Sequence, residues 1–149
     1  MNKEIISTTS APLAIGPYSQ AVKVDSFVHT AGQIAIDPET SQIVEGDVTA
    51  QAERVMKNLQ AVLAAAGTGF ENVVKTTIFL RYMKDFSAVN EVYGKFFVDE
   101  KPARSTVSVS ALPMQALLEI EMVALVPEPM ADQGNKKAKK KKGKGKKNK

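Results

Sequence analysis

After Pro102 the apolar residues of this chain stop recurring every third or fourth position and begin recurring every second one. Proline cannot extend the helical pattern before it, so Pro102 marks a change of element. Ser105, Val107 and Val109 then fall on one side of an extended segment, and Arg104, Thr106 and Ser108 on the other. A second alternating run places Leu118, Ile120, Met122 and Ala124 on one face and Glu119 and Glu121 on the opposite one. Two such runs at the end of a chain whose middle has helical periods require a sheet with one greasy face covered by helices.

The middle supplies those helices. From about Thr49 to Ala66, the residues Ala52, Val55, Met56, Leu59, Val62, Leu63 and Ala66 form one stripe, and Gly67 ends it. A second helix is expected from about Phe86 to Val98, with Phe86, Val89, Asn90, Tyr93 and Phe96 or Phe97 inward. Between them, Val73 to Arg81 is rich in β-branched residues and reads as a buried strand. Upstream, Val22–Val24 and Phe27–Ile36 read as an antiparallel pair turning at Asp25-Ser26, and Asp37-Pro38-Glu39-Thr40 as a turn. The expected architecture is α+β: a mixed β-sheet with two helices packed on one face.

Charge divides the chain. Ten of its twenty basic residues lie in Lys136–Lys149, so residues 1–135 carry a net charge of −6 although the whole chain is +4. We expect one domain over residues 1–127, followed over 128–149 by a disordered linker and a lysine-rich tail without core-forming residues. An acidic domain does not offer a basic face to nucleic acid. The absence of cysteine excludes disulfides, thiol catalysis and thiolate metal sites, and the single histidine, His29, argues against a histidine-built metal site or a Ser-His-Asp triad. No apolar run reaches the roughly 18 residues of a membrane span. The charged opening Met1-Asn2-Lys3-Glu4 does not resemble a secretory signal, so a cytoplasmic protein is expected; the lysine tail leaves a nuclear address open.

Candidate chemistry comes from few residues. Arg104 is one of three arginines, and its guanidinium together with Glu119, on what reads as a neighbouring strand, would suit a small carboxylate and a water. The alternative is an ordinary ion pair on a sheet surface. Tyr18, in Gly16-Pro17-Tyr18-Ser19-Gln20, is either a surface tyrosine or a ligand contact. Gly32, in Thr30-Ala31-Gly32-Gln33, marks a bulge or a close backbone approach. Asn90, an amide on an apolar stripe, needs a partner, either structural or a ligand. No base is placed to activate Ser105, Thr106 or Ser108.

Taken in order, Gly16-Pro17-Tyr18-Ser19-Gln20, Ala31-Gly32-Gln33-Ile34, Val73-Val74-Lys75-Thr76-Thr77, Val89-Asn90-Glu91-Val92-Tyr93, and Pro102-Ala103-Arg104-Ser105 with Leu118-Glu119-Ile120-Glu121 resemble the reactive intermediate deaminase A, or YjgF, family, also labelled L-PSP endoribonuclease or translation inhibitor. The resemblance spans about Ile5 to Val126. It implies a chorismate-mutase-like fold, a homotrimer with clefts between subunits, and hydrolysis of reactive 2-enamines and 2-imines to 2-oxo acids and ammonia with no cofactor or metal. It further implies that Arg104 grips the substrate carboxylate and Glu119 positions the attacking water. Tyr18, Ala31, Gly32, Gln33, Asn90 and Thr106 would line the cleft.

The chain departs from the family pattern at Ala31, where many members carry serine, and at Thr106, where many carry cysteine. These departures bear on substrate preference and rate more than on reaction class. Two other functions remain open at this stage. One is an RNA-acting protein that holds phosphates nonspecifically through Lys136–Lys149. The other is a noncatalytic carboxylate-binding trimer.

Overall fold

A computed structural model describes residues 1–128. The lysine-rich tail, expected to be a disordered appendage, lies outside the described residues. Six strands form one sheet: β1 (Lys3–Ile6), β2 (Ala21–Val24), β3 (Phe27–Thr30), β4 (Val73–Leu80), β5 (Ala103–Ser108) and β6 (Leu118–Leu125). They lie in the order β1-β2-β3-β6-β4-β5. All neighbours are antiparallel except β4 and β5, which run parallel because helix α2 (Phe86–Phe96) carries the chain back between them. The α+β architecture with two helices is therefore as the sequence implies.

Helix α1 (Val48–Ala65) begins at Asp47, whose side chain accepts from Ala50 N–H at 3.1 Å. It ends at Gly67, where φ of +83° reverses the chain and Thr68 N–H closes back on Leu63 C=O at 3.0 Å. The expected stripe from Ala52 to Ala66 is buried throughout, and it packs against the inward residues Ile78, Leu80, Leu118, Ile120, Met122 and Ala124. Each fully buried Leu or Ile in that layer contributes about 1.5–3 kcal/mol of burial free energy.

Three expectations need correction. First, the early strand β3 stops at Thr30 rather than continuing to Ile36. Its ladder with β6 reaches His29–Val123, lapses, and resumes as a single bridge between Gln33 and Ile120, with one residue more on the Thr30–Gly32 side than opposite. The extra residue is a bulge, and Thr30 Oγ1 repairs the interruption by accepting from Met122 N–H at 2.9 Å. Second, β1 is an edge strand paired with β2, and it lies before Val22, where the first expected strand begins. Third, β5 and β6 are not neighbours, because β4 lies between them.

Candidate active site

The bulge after β3 builds one wall of a cavity of about 390 Å³. Tyr18, Ala31, Gly32, Gln33 and Glu119 line it, together with apolar walls that include Pro12, Ile34 and Pro113. Gly32 is required by contact: a Cβ there would lie 2.7 Å from Glu119 Cδ and well inside contact with its Oε1. The close approach expected of this glycine is therefore to a side chain. Glu119 crosses directly over the Gly32 backbone and reaches the cavity from β6.

Polar side chains hold the other walls. Gln20, nearly buried, donates to Pro12 C=O at 2.6 Å and Thr8 C=O at 3.0 Å, and accepts from Thr8 N–H at 2.7 Å. Asn58, fully buried on α1, donates to Ile34 C=O at 3.2 Å and Ile36 C=O at 2.9 Å. Gln51, two turns earlier, accepts from Leu117 N–H at 2.9 Å. Sequence reasoning missed all three. The signal was present, because Gln51 and Asn58 interrupt the apolar stripe of α1 in the way that draws attention to Asn90 on α2.

Burial raises the Glu119 carboxyl above the usual glutamate range, and the charge of Glu121, two residues along the same face, raises it further. A carboxyl raised in this way holds a proton more tightly than a solvated one, which strengthens it as a base toward a bound water. Tyr18 Oη accepts from Ile15 N–H at 3.3 Å, which closes the loop at the cavity mouth, where Leu13 and Ile15 are well exposed. Among the described residues no group of three His, Asp and Glu side chains is placed to hold a metal ion.

The remaining candidates lie elsewhere. Arg104 pairs in register with Thr76, whose hydroxyl meets Tyr93 of α2, so Arg104 projects on the helix side of the sheet. Glu119 pairs with Phe79, three residues further along β4, and so projects on the opposite side. Within one copy of the chain the two do not meet, and the surface ion pair between them is excluded as well. Thr106 follows Arg104 on the same side of β5, and its buried Oγ1 has no hydrogen-bond partner among the described residues. Asn90 is half-buried on the α2 flank between Phe86 and Tyr93, one turn from each, beside the rings over which Arg104 lies. Tyr18, Ala31, Gly32, Gln33 and Glu119 therefore form one group, and Asn90, Arg104 and Thr106 a second on the edge strand and its helix.

Comparison with known proteins covers the span of the chain that carries both groups. The family profile described as Endoribonuclease L-PSP matches residues 8–126. The chain is 49% identical over 123 residues to a mouse protein named 2-iminobutanoate/2-iminopropanoate deaminase, covering 83% of this chain and 91% of that one. It is 51% identical over 124 residues to a RutC family protein of Pyrococcus abyssi, covering 83% and 98%. A crystal structure of E. coli TdcF with bound serine superposes with a TM-score of 0.79 at 42% identity, covering 82% of this chain and 98% of that one. The chain belongs to the Endoribonuclease L-PSP family, whose members include the RidA and RutC proteins.

Proposed function

We propose that this protein hydrolyses reactive 2-enamines and 2-imines of the 2-aminoacrylate and 2-aminocrotonate type to 2-oxo acids and ammonia. The observation that carries the reading is Glu119 held over Gly32 at the wall of the cavity, with its carboxyl raised by burial. Relatives named as imine deaminases and the serine bound to TdcF support a small amino-acid-derived ligand.

The chemistry asks for little. An imine carbon is already electrophilic, so orientation, a placed water and proton handling suffice. Water oxygen bonds to the imine carbon while Glu119 takes a water proton. That proton then passes to nitrogen to give a carbinolamine; the carbinolamine hydroxyl proton follows it to nitrogen through Glu119 as the C–N bond breaks, so ammonia leaves and the carbon becomes the ketone of the 2-oxo acid. Arg104 holds the substrate carboxylate through its planar fork.

Because one sheet separates Arg104 from Glu119, this mechanism requires a second copy of the chain. In our reading the edge strand β5 of one copy presents Arg104 and Thr106 to the cavity of a neighbour, in a homotrimer with sites between subunits. Three observations support it: among the described residues no strand pairs with the outer edge of β5 and Thr106 Oγ1 has no partner, and the exposed Leu13 and Ile15 flank the cavity. The test is a coupled assay in which a dehydratase generates 2-aminocrotonate in situ. Addition of the protein should accelerate 2-oxobutanoate release, and Arg104→Ala should abolish the acceleration. An unchanged rate of imine loss with the unaltered protein would sink the reading.

A further inference from the structure

Arg104 is held in an unusual manner. Its guanidinium carbon lies 4.9 Å from the ring centre of Tyr93 and 5.6 Å from that of Phe86, and among the described residues no carboxylate pairs with it. Tyr93 is itself fixed. Its hydroxyl is 2.8 Å from Thr76 Oγ1, a fully buried group on the strand beside Arg104, and its ring packs 4.6 Å from Phe97. An arginine steadied by a carboxylate would spend its donors and its charge on that partner. Ring faces attract the cation through the π-cloud and leave the in-plane N–H groups unspent.

We propose that Tyr93 and Phe86 are positioning residues that hold the Arg104 guanidinium against α2 without occupying its N–H donors with a carboxylate, so that a ligand carboxylate meets a preset fork. The inference rests on the deaminase reading only for the identity of that ligand. Thr76 acts one step further back, because it anchors the Tyr93 ring to the strand that carries Arg104's neighbour. Asn90 is half-buried on the same helix, one turn from each of these aromatic residues.

A clamp of this kind acts on substrate and transition state alike, so its loss should appear in KM rather than in kcat. Tyr93→Leu should raise both KM and the Kd for 2-oxobutanoate, measured by calorimetry, by roughly ten-fold. Phe86→Leu, at a less buried position, should raise them less and serves if Tyr93→Leu does not fold. Tyr93→Phe keeps the ring but loses its bond to Thr76, and should raise them less than Tyr93→Leu. Val92→Ala, a buried change on the same helix away from Arg104, should lower the melting temperature without moving KM.

In the unliganded protein, the Nε–H proton resonance of Arg104, assigned by its loss in Arg104→Lys, should carry a ring-current shift. That shift should shrink in Tyr93→Leu, where only the Phe86 ring remains, and persist in Tyr93→Phe. Folded Tyr93→Leu and Phe86→Leu variants with wild-type KM and Kd would overturn the inference, as would an Arg104 resonance indifferent to Tyr93→Leu. Absence of both turnover and 2-oxobutanoate binding in the unaltered protein would instead overturn the deaminase reading.

Discussion

Glu119 is held where its charge is costly. Desolvation and the neighbouring Glu121 charge raise its folded pKa above that of the unfolded chain, so the folded state retains a proton that the unfolded state has released. Its contribution to stability is complete below the ordinary glutamate value and is lost as pH rises through the raised folded value. Glu119→Gln should therefore melt higher than the wild type at pH 8, with the gap closing by pH 4, while turnover falls more than affinity for 2-oxobutanoate. Melting curves at the two pH values check the first half, and the coupled assay with calorimetry checks the second. Gly32 shows how far the residue level could be read: the sequence announces a close approach, yet nothing in it says that a carboxylate is what approaches. Arg104 and Glu119 were legible as chemically apt residues. Their faces were not, because alternation defines two sides within each strand and leaves open how the sides of different strands match.

At the scale of elements, periodicity found α1, α2, β4, β5 and β6 to within a few residues at either end, since each carries a long run with one apolar face. It failed at β3, where Thr30-Ala31-Gly32-Gln33 is apolar enough to extend a strand. There a pairing with β6, remote in sequence, forces the bulge. The polar residues of α1 have a clear consequence. Asn58→Ala leaves the Ile36 carbonyl without its side-chain donor and opens a small void, and it should cost about 2–3 kcal/mol of stability. It should also lower activity by loosening the Ile34–Ile36 wall of the cavity. Chemical denaturation measures the first effect. A replacement with unaltered denaturation midpoint would show that Asn58 does not hold that wall.

For the whole molecule, the proposed shared site makes a prediction about mixtures. Arg104→Ala and Glu119→Gln subunits, each inactive alone, should regain activity when co-assembled, because roughly a quarter of randomly formed interfaces unite an intact Glu119 with an intact Arg104. Activity of the mixture no greater than that of its parts would place both residues in one copy's site or neither in any. Removal of Lys136–Lys149 should leave melting and deaminase rate nearly intact and abolish retention on a polyanion matrix, since the charge of residues 1–135 is −6 without it. Loss of folding on truncation would mean that the domain extends past residue 127. The placement of Arg104 and Glu119 on opposite sides of the sheet has one more consequence: under the proposed function the lone chain is an enzyme in two halves. Catalysis then becomes a census of neighbours, and specific activity should collapse on dilution at the concentration where subunits part. A rate measurement at nanomolar protein would thus report an association constant that no substrate titration reveals.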